Sequence, residues 1–210
     1  SLPMWEAGLL ENDPIIAWYR ANCDQLRPGS LRLAIDFDYT LTAHDSKYDL
    51  QTLPRPRSGA VNAIRQLYRQ GWIIIIASSR FDSTIFAGEQ IEMSHETVSA
   101  FLSLNNVPFD KIWTHEHSAK PLATWYLDDR SLPPFPGWEE SRAFLQQYMF
   151  LIESIWQSKQ PYGFADAVRQ YRIKSGGYNM VPDENVFGDL IYSYGREQAL
   201  EDGVLVDLTD

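Results

Sequence analysis

The sequence predicts an α/β fold, a Rossmann-like three-layer sandwich around a central parallel sheet. Three observations predict it. Trp72–Ala77 is a continuous apolar run, the pattern of a central parallel strand buried on both faces. Strand-like runs alternate with helical periodicity across residues 31–129, as right-handed crossover units do. Three of the strands end in polar side chains, at Asp36/Asp38, Ser78/Ser79 and Asp128/Asp129. The ligand crevice of an open parallel sheet lies at such carboxyl ends. Residues 1–157 read as this core, with a helix before it and a helix trailing it. Residues 158–210 read as a C-terminal extension, either a lid or a docked tail.

Taken in order, Asp13-Pro14 opens a helix with proline at its first position, ending near Pro28-Gly29. Leu31–Ile35 is the first strand, and residues 43–57, with Pro54 and Pro56, are a loop or small hairpin. Ser58 is the expected cap of a helix carrying Val61, Ile64, Leu67 and Tyr68 on one face, and Gly71 stops it. After the strand Trp72–Ala77, Ser94 is the expected start of a helix burying Val98, Phe101 and Leu102, which ends at Asn105-Asn106. Lys111–Trp113 and Ala123–Leu127 are two further strands. Pro133, Pro134 and Pro136 break the chain before a long helix over Trp138–Gln157. Residues 158–185 are poorly patterned. Leu190–Tyr194 and Val204–Leu208 look extended.

Composition narrows the function classes. The chain has 210 residues, 44% of them hydrophobic and 13% aromatic, enough for one packed α/β domain with additions. Its 18 basic and 28 acidic residues leave a net charge of −10, which argues against general nucleic-acid binding or an anionic membrane surface. A small anionic substrate stays compatible if a metal and local cations hold it. The single cysteine, Cys23, excludes an intrachain disulfide framework and reads as a small core residue. With no basic start followed by a long apolar run, and no stretch long enough to span a bilayer, a cytoplasmic protein is expected.

The chemistry centres on Leu31 through Thr42, an apolar run ending in Asp36 and Asp38. On a strand the two acids share a face, where their repulsion needs an offset. Two readings stand for this stretch alone: an acidic turn, or a site for a hard divalent cation. The other strand ends favour the second reading. An aspartate attacks phosphorus as a nucleophile, and a second carboxylate protonates the leaving oxygen and then activates water. A serine hydroxyl and a lysine hold nonbridging oxygens, with Mg²⁺ offsetting their charge. Ser78, Lys120 in Lys120-Pro121-Leu122, and Asp128-Asp129 supply those parts.

With these residues in place, the chain resembles the haloacid dehalogenase-like (HAD) superfamily over about residues 30–135. Asp36-Phe37-Asp38-Tyr39-Thr40 is similar to its first motif, Ser78 to its second, Lys120 to its third and Asp128-Asp129 to its fourth, in the family's order. The resemblance implies a HAD-like fold and a Mg²⁺-dependent phosphatase working through an aspartyl phosphate. In it Asp36 is the nucleophile and Asp38 the general acid/base, which also gives its backbone carbonyl to the metal. Ser78 binds phosphate, Lys120 orients nucleophile and phosphate, and Asp128 and Asp129 anchor Mg²⁺, either one as direct ligand. An aspartate two residues after the nucleophile resembles the phosphatase branch. Tyr39 stands where many members have glycine; it either narrows the pocket or packs under the flap.

The first and second motifs are 42 residues apart. Once the intervening helix and strand are set aside, about fifteen residues remain, too few for a folded cap. The second insertion point, between 81 and 110, holds one helix and a connection, so the protein resembles the capless type. Ser79, Arg80 and Tyr39 are the expected substrate contacts, with pairing to a carboxylate as the alternative for Arg80, and His44, Asp45, Asp82, His115 and His117 are candidates for the rim. Trp113, Trp125 and Tyr126 are expected in the core. Leu127-Asp128-Asp129-Arg130 resembles the fourth motif of nucleotide-directed members, which points to a small phosphorylated substrate such as a nucleotide, or to the phosphorylated end of a nucleic acid. The alternatives are a phosphate-binding regulatory module without turnover and phosphotransfer to an acceptor other than water. Segments between Val186 and Asp207 are similar to a stretch of uncharacterised phage and plasmid proteins, which suggests a mobile-element origin.

Overall fold

Four strands, β1 (Arg32–Asp36), β2 (Ile73–Ala77), β3 (Lys111–Trp113) and β4 (Trp125–Leu127), form one parallel sheet in the order β3-β2-β1-β4. The computed structural model describes residues 13–43, 52–114, 120–131 and 135–175. The helices are α1 (Pro14–Ala21), α2 (Ala60–Arg69), α3 (Gly88–Leu104), α4 (Trp138–Gln157) and α5 (Phe164–Lys174). The expected parallel α/β architecture with flanking helices is therefore present. The strand order reverses beside β1: the chain moves outward through β2 and β3, then returns to place β4 on the other side. Such a switch point opens a crevice between the carboxyl ends of the two strands that flank it.

Register sets what enters that crevice. Ile35 pairs with Leu127, so Asp36 and Asp128 both lie one step beyond this pair. Asp36 pairs with Ala77, so Ser78 follows at the end of β2. The middle of the sheet is apolar on both faces. Leu33, Ile35, Ile74 and Ile76 are fully buried, and Ala34 and Ile75 nearly so, which is the continuous run a parallel strand needs.

Several element boundaries differ from the sequence expectation for local reasons. Asp13 does cap α1, accepting from the N–H groups of Ile15 and Ile16 at 2.9 Å. That helix ends at Ala21, well before Pro28-Gly29, and half-buried Cys23 lies in a short 3₁₀ turn after it. Ser58 does not cap α2. Gly59 is the N-cap, at φ 79, a left-handed geometry that suits glycine. α3 begins at Gly88 rather than Ser94, because the Gln90 side chain reaches back to accept from the Ala87 N–H at 2.9 Å. Ser94 is buried inside that helix. The stretch after β1 starts a small hairpin: Ala43 N–H donates to Arg55 O and Arg57 N–H to Leu41 O, each at 2.9 Å. The Pro133-Pro134 break, the loop at Ser175-Gly176-Gly177 beyond Ser175, and the extended pieces near 190–194 and 204–208 lie outside the described residues.

α5 is the element the sequence pattern did not suggest. It belongs to the same compact unit as the sheet and buries Phe164, Ala167, Val168 and Arg172. Glu153 of α4 accepts from the Phe164 N–H at 3.0 and 3.1 Å, placing a negative charge at the positive end of the helix. Gly71, at φ 103, lets α5 come close: a Cβ there would lie 3.3 Å from the Phe164 ring and 3.4 Å from the Ala165 backbone.

Candidate active site

The turn Phe37–Leu41 after β1 carries the site, and it is held from several sides. Tyr39 sits at φ 59, ψ −8, a left-handed conformation that costs a side-chain-bearing residue on the order of 1–3 kcal/mol. Neighbours hold it there. Tyr39 N–H donates to Thr42 Oγ1 at 3.0 Å, and Arg57 Nη1 donates to Tyr39 O at 2.7 Å. Buried Trp138, the first residue of α4, donates its indole N–H to Thr40 O at 2.7 Å. Thr40 Oγ1 accepts from Asp129 N–H at 2.8 Å and donates to Asp36 Oδ2 at 3.3 Å, linking the ends of β1 and β4.

This framework gathers Asp36, Asp128 and Asp129, each with a carboxylate oxygen inside one 4.8 Å cluster. Burial first, then the charges of Asp128, Asp38 and Asp129, push the Asp36 carboxyl up from 3.8 to about 8, against a hydrogen bond from the Phe37 backbone. Three hard oxygen donors with that much mutual repulsion fit a divalent cation such as Mg²⁺. Asp38 is in a different position. Arg80 Nε donates to its Oδ1 and Oδ2 at 3.0 and 2.8 Å, and Nη2 donates to Oδ1 at 2.7 Å.

Asp36, Asp38, Tyr39, Ser78, Ser79, Lys120, Asp128 and Asp129 all line one open cavity of about 850 Å³. Eight of the nine sequence-predicted site residues thus meet around one space, which Asp82 and Trp113 also line. Ser78 donates its hydroxyl to Asp38 Oδ2 at 3.4 Å. Exposed Lys120 places Nζ 3.7 Å from the centroid of the Tyr126 ring. Tyr126, expected in the core, is 38% exposed and lines the cavity, and its hydroxyl donates to Pro121 O, fixing the loop that carries Lys120. Trp125 does pack inward, edge-on to Phe144 and Tyr148.

Of the two readings of Arg80, the carboxylate pair is the one present, with Asp38 as the partner. Its side chain is 1% exposed and lies behind Asp38, over the Phe37 ring at 5.2 Å. His44, Asp45, His115 and His117 lie outside the described residues. Sequence reasoning missed Arg57 and Trp138, which hold the turn through backbone carbonyls. Such contacts leave no spacing signal, since any donor at the right place serves. Thr40 was within reach, as the last residue of the Asp-x-Asp-x-Thr pattern.

No protein-family model matches the chain, and no curated protein matches it. The chain is similar to a structural-genomics target from Vibrio cholerae, at 22% identity and a TM-score of 0.40, over 62% of this chain and 99% of that one. It is also similar to D,D-heptose 1.7-bisphosphate phosphatase from B. bronchiseptica, solved with magnesium and phosphate, at 18% identity and a TM-score of 0.31. That match covers 56% of this chain and 63% of the other. Among the described residues no helix is long and apolar enough to cross a membrane.

Proposed function

We propose that the protein is a phosphatase that hydrolyses a phosphomonoester through a phosphorylated Asp36, with Mg²⁺ as cofactor. The observation that carries this reading is the cluster of Asp36, Asp128 and Asp129 at the switch point of the sheet, with Asp38 on the same cavity wall. Asp36, Asp128 and Asp129 would hold the metal. When bound, it offsets the negative charge on the phosphoryl oxygens and on the attacking carboxylate.

The chain's own residues supply the rest. A carboxylate oxygen of Asp36 attacks phosphorus as the bond to the leaving oxygen breaks, and Asp38 gives that oxygen a proton. Water then attacks the same phosphorus, passes a proton to Asp38, and the bond to Asp36 breaks. Ser78, Ser79 and Lys120, which line the cavity, hold the nonbridging oxygens in this reading. The open cavity suits a nucleotide-sized leaving group or the end of a polymer, and its volume is in the range of ordinary ligand pockets.

A phosphate-release screen over nucleotides, sugar phosphates and 3′- or 5′-phosphorylated oligonucleotides tests this. Release by wild type with Mg²⁺, lost with chelator and in Asp36→Asn, is the expected result. Wild type with Mg²⁺ that binds phosphate but releases none from any substrate would favour the phosphate-binding module.

A further inference from the structure

Arg80 is a buried arginine beside the candidate proton carrier. It follows Ser78 by two residues, on the short turn Ser79–Phe81 that leaves β2. Its backbone N–H donates to Ser78 Oγ at 3.2 Å, and that hydroxyl donates to Asp38 Oδ2 at 3.4 Å. Its guanidinium reaches both oxygens of the same carboxylate. Ser78, Arg80 and Asp38 thus close a ring that ties the end of β2 to the turn after β1. The Phe37 ring lies under the guanidinium, which restricts the plane of the fork.

The exposures separate the two partners. The Arg80 side chain is 1% exposed, whereas that of Asp38 is 13% exposed and lines the cavity. The fork therefore grips the inner side of the carboxylate and leaves a free edge toward the space where a leaving oxygen would sit. A carboxylate oxygen has two lone-pair directions, so an oxygen held from behind can still carry a proton in front. Two-point contact fixes rotation about the side chain as well as its position, which a single hydrogen bond would not do. Proton transfer needs that precision, because the donor must lie within hydrogen-bond reach of its target.

We propose that Arg80 is a positioning residue that holds Asp38 in the orientation for proton transfer to the leaving oxygen, and does not bind substrate. This rests on the phosphatase reading above, in which Asp38 carries the proton.

The test compares two substrates whose leaving groups differ in their need for a proton. p-Nitrophenolate departs unaided, whereas the alkoxide of glycerol 2-phosphate needs protonation. kcat/KM reports steps up to the first departure, and the ratio of the two values does not depend on the fraction of enzyme that is folded. Wild type, Arg80→Gln and Arg80→Lys are assayed with Mg²⁺ and their melting temperatures recorded. The expected result is a ratio of kcat/KM, p-nitrophenyl phosphate over glycerol 2-phosphate, that rises at least about tenfold in Arg80→Gln. Arg80→Lys, which keeps the charge without the fork, falls in between.

An unchanged ratio in both active variants overturns the proposal, whether the losses come from lower stability or from a KM that rises equally for both substrates. Wild type inert on these two substrates and on every member of the screen above overturns the phosphatase reading itself, and the role of Arg80 with it. Arg80→Lys keeps the comparison available if Arg80→Gln does not fold.

Discussion

At the amino ends of β2 and β3, Arg172 of α5 meets Asp110 with Nε–Oδ1 at 2.7 Å and Nη2–Oδ2 at 3.1 Å. The same guanidinium donates to Trp72 O at 2.7 Å and stacks 3.6 Å from the Tyr68 ring centroid, while Asp110 Oδ2 accepts from the Ile74 N–H at 2.8 Å. At the carboxyl ends of β1 and β4, Asp36, Asp128 and Asp129 crowd together, and burial together with the neighbouring charges drives up the Asp36 carboxyl. One end of the sheet pairs its buried charge; the other concentrates charge of one sign. Paired charge ties a helix to the sheet and has no chemistry left to do. Concentrated charge is held at a cost in stability, and a ligand of opposite charge relieves it.

The Asp38–Arg80 pair lies between these extremes. Its geometry resembles that of the Arg172 pair, yet its carboxylate opens onto the cavity. A buried arginine alone therefore does not separate scaffold from site. What separates them is whether the paired acid still faces a space that a substrate can enter.

Breaking the scaffold pair carries the largest expected effect on stability. Arg172→Ala leaves Asp110 half-buried without its countercharge and frees α5, so chemical denaturation should read a loss of about 3–5 kcal/mol. If the loss stays below about 1 kcal/mol, α5 is not a structural part of the core.

A sharper contrast comes from two similar substitutions two residues apart. Asp38→Asn takes a carboxylate away from the buried Arg80 guanidinium and should lower stability by about 3 kcal/mol in metal-free protein. Asp36→Asn replaces a carboxyl that must take up a proton when the chain folds, so it should leave stability at neutral pH unchanged or raised. Equal melting temperatures for the two variants would mean that the two acids do not differ electrostatically as described.

Acidity reads the same contrast. Asp36 holds its proton more tightly folded than unfolded, so its contribution to stability is complete below 3.8 and is lost as pH rises through about 8. Metal-free wild type should therefore lose melting temperature across that window relative to Asp36→Asn. Parallel pH profiles for the two proteins would contradict a folded-state Asp36 carboxyl raised by burial and neighbouring charge.

The smallest effect is expected at the strained turn. Tyr39→Gly relieves the left-handed conformation and should raise stability by about 1 kcal/mol, or about 2–4 °C in melting temperature. A fall would mean that packing of the Tyr39 ring outweighs the backbone strain.

The sequence made the carboxyl end of the sheet legible because its residues follow a rule. An apolar run buried on both faces, then acids where the run must stop, marks Asp36, Ser78 and Asp128-Asp129 with no knowledge of their partners. The amino end has no such rule. α5 escaped because its buried stripe is short and one of its four buried positions is Arg172, which breaks the apolar period. Arg80 keeps two readings, substrate contact or carboxylate partner, because nothing in Ser78-Ser79-Arg80 says whether the side chain turns inward. Ser58 looked like a cap by residue type, but the positive φ of Gly59 shifted the boundary by one. Local patterns reach as far as strand ends and helix faces. Long-range pairs such as Arg80–Asp38, 42 residues apart, need the fold.

The most direct measurement of the account's central point is a Mg²⁺ titration of melting temperature at pH 8, with wild type beside an Asp128→Asn, Asp129→Asn double variant. Crowded carboxylates relieved by a cation predict that wild type rises with Mg²⁺, by about 2.7 kcal/mol at a hundredfold excess over the dissociation constant, while the double variant stays flat. A wild-type protein indifferent to Mg²⁺, or a double variant stabilised just as much, would contradict it.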